Sequence, residues 1–350
     1  MKNVLHVIDT IDLGGAEKVM IGIVNGLPQY QHHIAYLGGK NSLKDTLPPT
    51  CKFLPLNFRS KVDSWRCARQ LRQYIRQNDI SIVHSHLVMA TLIARMACPE
   101  DVKMFNHIQS IVGARFFGPG KYWQRAAEKF FYRKRHHLIV VSEEVQQDYD
   151  KYIGIKGPVT VLPNFVETKF FAPGPRLSTF TDTLRIVAVG NLKPAKNYLY
   201  LLQAFLQLPK TIKLDIYGDG PQRVEMEEFI KINKLDNVRL CGSRNDVYTL
   251  LPGYDLYIMS SKVEGHPVAL MEAMAAGLPA VVSDIKVLRE ATDGKGLYFD
   301  LGSVNGLVSL LRDIAAHKID LDNYARFNFE WVKKSGSKER FLQTLDKLYS

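Results

Sequence analysis

Along the chain, apolar residues gather in short runs: VLHVID (residues 4–9), HHIAYLG (32–38), ISIVHSH (80–86), KMFNHIQ (103–109), HLIVVSEEV (137–145) and VTVLPNFV (159–166). Runs this short, bounded by turn residues, predict buried strands. Between them apolar positions recur at helical spacing, as in GAEKVMIGIVNGL (15–27) and residues 62–77, and Ser142 is set to cap the helix that follows its strand. Residues 167–182, ETKFFAPGPRLSTFTD, break the period with Pro, Ser and Thr and read as a linker. The pattern then restarts with LRIVAVGNL (184–192), KLDIYGDGP (213–221), VRLCG (238–242), DLYIMSS (255–261), AVVSD (280–284) and LYFD (297–300). Strands alternating with helices give a parallel sheet covered on both sides. The expectation is therefore an α/β chain of two facing, Rossmann-like, doubly wound parallel-sheet domains. Such sheets bind ligands beyond the carboxyl ends of their strands, so an interdomain cleft is the expected site.

The most informative stretch is VEGHPVALMEAMAAGLPAVVSD (263–284), with Glu264 and Glu272 eight residues apart. Pro267 suits the first turn of a helix, and Gly277 suits its end. Glu264 then lies in the loop before the helix and Glu272 within it. Backbone amides at Val268, Ala269 and Leu270 would face out of the N-terminus, where the dipole favours an anion. Carboxylates accept hydrogen bonds from sugar hydroxyls, so a phosphate flanked by sugar rings fits the pair. Two glutamates on an ordinary surface helix would read the same, and only the whole strand–loop–helix–turn–strand string favours the ligand.

That string resembles the E-x7-E signature of the retaining glycosyltransferases of family 4, which have the GT-B fold. Other segments are similar to the family's motifs in the same order: DLGGAEKVM (12–20), FNHIQS (105–110), VLPNFVETKFF (161–171), VAVGNLKPAKNYLYLLQAF (187–205), IYGDGP (216–221) and VRLCGSRNDV (238–247). The resemblance covers roughly residues 1–330. It implies an N-terminal acceptor-side domain over 1–168, a nucleotide-sugar domain over 169–335, and a helix in 336–350 that packs back on the first domain.

The same resemblance implies roles. Lys196 is a point charge for the donor diphosphate; Gly14 and Gly15, in a strand-to-helix turn, let backbone approach it. A Gly-Gly pair also suits a plain turn. Glu272 holds the ribose diol and Glu264 the donor sugar, with Gly265 and Pro267 shaping their loop. Gly190, Tyr217 and Gly218 end strands beside the nucleotide, and Arg244 reaches base or phosphate. His107 stands near the reacting carbon, hydrogen-bonding the sugar or positioning backbone. Asn191 departs from the family, which has an arginine there; an amide lacks that charge, and Lys193 is the nearest substitute. The implied reaction moves a hexosyl group from a nucleotide diphosphate sugar, a UDP-sugar first among them, to a hydroxyl of a lipid-linked or oligosaccharide acceptor with retention. The alternatives are a sugar-nucleotide epimerase of the same fold and a non-catalytic nucleotide-sugar-binding partner subunit.

Composition narrows this further. No apolar run approaches the roughly 20 residues of a spanning helix, and the start lacks a signal-peptide pattern. Cys51, Cys67, Cys98 and Cys241 form no CxxC pair, which implies reduced thiols and a cytoplasmic setting. No His/Cys spacing resembles a zinc site. Asp148-Tyr149-Asp150 and Asp320-Leu321-Asp322 follow no buried strand; they read as a solvated helix face and a helix cap, so neither metal nor cofactor is expected. Net charge is +11, and residues 1–168 hold most of it, with 22 Lys+Arg against 14 Asp+Glu. Basic stripes at Arg66, Arg69, Arg72 and Arg76, and at Lys121, Arg125, Lys129 and Arg133, run beside Trp123, Phe130 and Phe131. They suit an anionic inner-membrane surface, or plain solvated faces. No nucleic-acid module accompanies the charge, so a nucleic-acid partner is not expected.

Overall fold

The computed structural model describes residues 1–12, 14–175, 180 and 182–350. It divides into two compact units, one of residues 1–164 with 339–350, the other of residues 165–338.

The first unit is built on β1 (Asn3–Ile8), β2 (Gln31–Tyr36), β3 (Lys52–Pro55), β4 (Ile80–His86), β5 (Lys103–Ile108), β6 (His136–Val140) and β7 (Val159–Val161). Its helices are α1 (Gly15–Gly26), α2 (Ser64–Gln77), α3 (Val88–Ala97), α4 (Tyr122–Phe131) and α5 (Glu143–Tyr152). The strands pair in parallel in the order β3-β2-β1-β4-β5-β6-β7. Strand order reverses direction between β1 and β4. One face of the sheet packs Leu5, Val7 and Val83 against Leu71, Ile75 and Ile93 of α2 and α3.

The second unit carries β8 (Leu184–Val189), β9 (Ile212–Tyr217), β10 (Val238–Gly242), β11 (Leu256–Met259), β12 (Ala280–Ser283) and β13 (Leu297–Phe299). They also pair in parallel, in the order β10-β9-β8-β11-β12-β13, with the reversal between β8 and β11. Its helices are α6 (Tyr198–Phe205), α7 (Arg223–Ile232), α8 (Val247–Leu250), α9 (Val268–Ala275), α10 (Lys286–Ala291), α11 (Val304–Ala315) and α12 (Leu321–Ser335). Alternation along β8 sends Leu184, Ile186 and Ala188 to one core and Val187 to the other, where Leu270 and Met274 of α9 meet it. The strands are apolar on both sides because helices cover both.

The final helix, α13 (Lys338–Tyr349), buries Phe341, Leu345 and Tyr349 at i, i+4 and i+8, and these residues pack in the first unit. Tyr30 Oη donates to Asp346 (2.7 Å), and Lys2 Nζ donates to the Tyr349 and Ser350 carbonyls (3.2 and 3.0 Å). The segment read as a linker enters the second unit: Thr168–Phe171 form a 3-10 turn with Phe170 in the core. Residues 176–179 and 181 of that segment, and Leu13 of the first glycine turn, lie outside the described residues. Glu167 takes both hydrogen bonds of Lys338 (2.9 and 2.8 Å), and Val166 N donates to Gly336 O (3.0 Å). These contacts tie together the two places where the chain passes between units.

Candidate active site

The switch point of the second sheet is where most of the singled-out residues meet. A 3-10 turn, Pro194–Lys196, follows β8, and the loop 260–267 follows β11. Lys196 Nζ sits 2.5 Å from Glu264 Oε1, with both side chains largely buried. Ser261 Oγ donates to the same carboxylate oxygen (2.6 Å). The turn is pinned from behind: Ser260 Oγ donates to the carbonyls of Lys196 and Asn197, and Lys262 N to that of Ala195. Asn197 adopts a left-handed conformation (φ 55°) to start α6 at that point. The lysine is therefore held by backbone, and its charge meets a carboxylate of its own chain.

Glu272 lies on α9, only 5% exposed. Its charge and that of Glu264 both act on Tyr257 of β11. That phenol is pushed far above its usual range, first by burial, then by Tyr198, Glu264 and Glu272. The two glutamates and the lysine thus share one neighbourhood. Pro267 is the N-cap rather than a first-turn residue, and Val268 N already donates to His266 O (3.0 Å). Of the three expected anion-facing amides, that leaves Ala269 and Leu270 at positions without an intrahelical acceptor. His266 is half-buried in the loop; burial lowers its pKa to about 4.

The glycines have a packing task in the second unit. A Cβ on Gly218 would stand 1.9 Å from Gly190 O, and one on Gly220 2.6 Å from Leu192 O. Gly190 N donates to Tyr217 O, and Leu192 N to Asp219 O, both at 2.9 Å. The glycines let the loops after β8 and β9 zip together, and Gly190 in turn lies under Lys196, whose Cε is 3.3 Å from its would-be Cβ. They build the shelf that carries the lysine. Asn191 is exposed on that shelf. Tyr217 is drawn aside into a chain, Tyr217–Tyr254–Asp215–Arg239, at 2.9, 2.6 and 2.5 Å. Arg244 is exposed and paired with Asp246 through both guanidinium arms (2.8 and 2.6 Å).

In the first unit, Gly14 is the N-cap of α1, and Gly15 opens the helix. The carboxylate of Glu17 folds back over Gly14: a Cβ there would fall 2.1 Å from its Oε2. Thr10 Oγ1 donates to Oε1 (2.9 Å), and burial raises the carboxyl's pKa. The helix dipole here already meets an acidic group of the same chain. His107 is fully buried within β5, with neither ring nitrogen hydrogen-bonded, and burial pushes its pKa down to about 3. His84 and His86 of β4 are equally enclosed.

Two surface expectations change. Asp148 is not a solvated charge: Oδ2 accepts from Val112 N and Gly113 N (3.0 and 2.7 Å) and fixes the π-helical turn Gly113–Phe117. Asp320 caps α12 as expected. The basic stripes are partly consumed internally: Arg66 binds Asp63 and the Leu56 and Asn57 carbonyls, Arg76 binds Asp101, and Arg125 binds the Tyr152 carbonyl. Beside them lies exposed apolar surface: Val62, Trp65, Tyr122 and Phe130 are 66–87% exposed and Trp123 45%. No helix among the described residues is long and apolar enough to cross a membrane.

Comparison with known proteins agrees along the chain. Residues 13–170 match the family described as Glycosyltransferase Family 4, and residues 183–317 match Glycosyl transferases group 1. The UDP-Gal:alpha-D-GlcNAc-diphosphoundecaprenol alpha-1,3-galactosyltransferase of Escherichia coli is 25% identical over 347 residues, spanning 88% of this chain and 86% of that protein. The lipopolysaccharide core biosynthesis glycosyltransferase LpsD of Rhizobium meliloti is 23% identical over 313 residues, spanning 85% and 84%. Among solved structures, Anabaena HepE in complex with UDP and glucose superposes with a TM-score of 0.83 at 15% identity, over 99% of each chain. WaaG, a glycosyltransferase involved in lipopolysaccharide biosynthesis, gives 0.77 at 14%, over 98% and 99%. With both sheets parallel and both halves matched in order, the chain belongs to the GT-B glycosyltransferases, joining a Family 4 amino-terminal part to a group 1 carboxyl-terminal part.

Proposed function

We propose that the protein transfers a hexosyl group from a UDP-sugar to a hydroxyl of a lipid-linked saccharide, retaining anomeric configuration. The observation that carries the donor half is the Lys196–Glu264 pair at the β8/β11 switch point, with Glu272 beside it on α9. An arriving diphosphate competes with Glu264 for Lys196, freeing the carboxylate to accept hydrogen bonds from sugar hydroxyls. Glu272 holds the ribose diol, and the Ala269 and Leu270 amides add dipole stabilisation as charge builds on the leaving diphosphate. The acceptor hydroxyl attacks from the front face, the leaving phosphate oxygen taking its proton. His107 acts by positioning, since it is enclosed. The relative acting on a diphosphoundecaprenol-linked sugar supports a lipid-linked acceptor. The exposed aromatics around Trp65 and Trp123, with Lys61 over the Trp123 ring (3.8 Å), suit an anionic bilayer surface.

The test is turnover with a panel of UDP-sugars and lipid-linked acceptors, the product anomer read by NMR. Lys196→Ala and Glu272→Ala should each abolish transfer while the fold persists by circular dichroism. Undiminished turnover in both variants would refute the assignment. Epimerised sugar nucleotide formed without acceptor would favour the epimerase reading instead.

A further inference from the structure

One face of the first sheet carries five imidazoles, and sugar transfer as proposed above uses only His107. The register pairs His6 with His84, His86 with His107, and Val4 with His32. Side chains repeat every second residue, so His32, His6, His84, His86 and His107 project to the same side, across β2, β1, β4 and β5. All five are buried, and the Tyr349 and Phe341 rings of α13 stand over them.

Nitrogens of His6, His84 and His86 converge within 4.8 Å of one another. His6 Nδ1 and His86 Nε2 are 3.3 Å apart. Two donors each about 2.0–2.1 Å from a tetrahedral zinc ion are separated by about that distance. His84 turns Nδ1 to Tyr349 Oη (2.6 Å), and its Nε2 has no hydrogen-bond partner.

The outer nitrogens distinguish a ligand set from a mere cluster. A metal-bound imidazole donates its other N–H to a fixed acceptor, and that contact sets the tautomer. If His6 ligates through Nδ1, its Nε2–H donates to His32 Nδ1 (3.2 Å), and His32 Nε2–H passes on to the Leu27 carbonyl (2.9 Å). If His84 ligates through Nε2, its Nδ1–H donates to the Tyr349 hydroxyl. If His86 ligates through Nε2, its Nδ1–H faces the Gln109 amide at 3.3 Å. Rotating that amide by half a turn presents Oε1, which otherwise has no partner. All three outer contacts are then made. Without an ion, His84 Nε2 is left as a buried orphan of the kind that folded proteins rarely tolerate.

We propose that His6, His84 and His86 form a structural site for one divalent transition-metal ion, zinc by ligand chemistry, in the first unit. His32, Tyr349 and Gln109 are its positioning residues. Because the ligands are enclosed, the ion enters as the unit folds and is released only on unfolding. The inference is independent of the donor-site reading, which rests on the second unit.

The test uses the full chain without an affinity tag. Protein purified from zinc-containing medium should carry one zinc per chain by elemental analysis. Refolding with one equivalent of Co2+ should give the intense visible d–d bands of tetrahedral cobalt and a Tm about 5 °C or more above protein refolded in chelator. Gln109→Leu and Tyr349→Phe touch only outer nitrogens; each should weaken Co2+ binding about 10–100-fold while the bands keep their position. His84→Gln should abolish the bands, and His33→Gln should leave them intact. Wild-type protein free of metal and without bands after refolding with Co2+ overturns the proposal. So do bands undiminished in folded His84→Gln, or Co2+ affinity unchanged in both outer-contact variants.

Discussion

At position 218 a methyl group has nowhere to go, because the atom it meets is the backbone oxygen of Gly190 rather than a side chain that can turn away. Gly218→Ala should therefore part the two loops that carry Lys196, costing about 3 kcal/mol in urea unfolding of the second unit. A cost near zero would show that the loops are not zipped. The same shelf makes Lys196 and Glu264 interdependent. Glu264→Gln should destabilise by about 1.5–3 kcal/mol, the range for a charge-assisted hydrogen bond, and Lys196→Ala added to it should cost little more. Additive losses in that double-mutant cycle would mean the pair is not coupled. Individual residues were unevenly legible. Lys196 and Glu264 stand out because charged residues at strand ends have few structural reasons to be there, and Glu272 by its spacing from Glu264 in the helix that follows. The glycines were recognisable as turns, but whether a turn approaches a ligand or another loop depends on contacts distant in sequence. The histidines were the least legible, since no spacing within one strand reveals which strands will lie side by side.

Among the elements, the strands were readable because burial on both faces keeps them mostly apolar. β3 escaped notice: it is four residues long, and its side chains are only partly covered. The π-helical turn Gly113–Phe117 was equally hidden, because Asp148 holds it from another helix. Packing of α3, α4 and α5 turns on a further contact of this kind. Arg95 binds Glu128 and donates to Asn106 Oδ1 (2.5 Å) and Tyr149 Oη (3.2 Å), all four side chains being buried. Glu128→Gln should cost about 3–5 kcal/mol by leaving the guanidinium without its counter-charge. Thermal unfolding of the first unit reads this directly, and an unshifted transition would contradict it.

For the whole molecule, histidines kept neutral by their surroundings weaken the fold in acid. His136 accepts from Arg133 N through Nδ1, and burial lowers its pKa to about 3; His266, in the other unit, is lowered to about 4. Unfolding raises both to about 6.5, so their contribution is full above that pH and is lost as pH falls towards the folded values. Between pH 7 and 5 each of these two imidazoles should cost its unit about 2 kcal/mol, so His136→Gln and His266→Gln should each flatten the pH dependence of the urea midpoint; an unchanged dependence would contradict it. On the surface, Trp65→Ala with Trp123→Ala should release the protein from phosphatidylglycerol vesicles, and salt should weaken wild-type binding. Retention of the double variant would move the contact elsewhere. The return of residues 339–350 to the first unit imposes an order on synthesis. Tyr349 and Phe341 leave the ribosome only after residues 165–338, roughly 10–35 s later at ordinary translation rates. Until then the nascent first sheet waits with its imidazole-bearing side open to chaperones, to neighbouring chains and to dissolved ions.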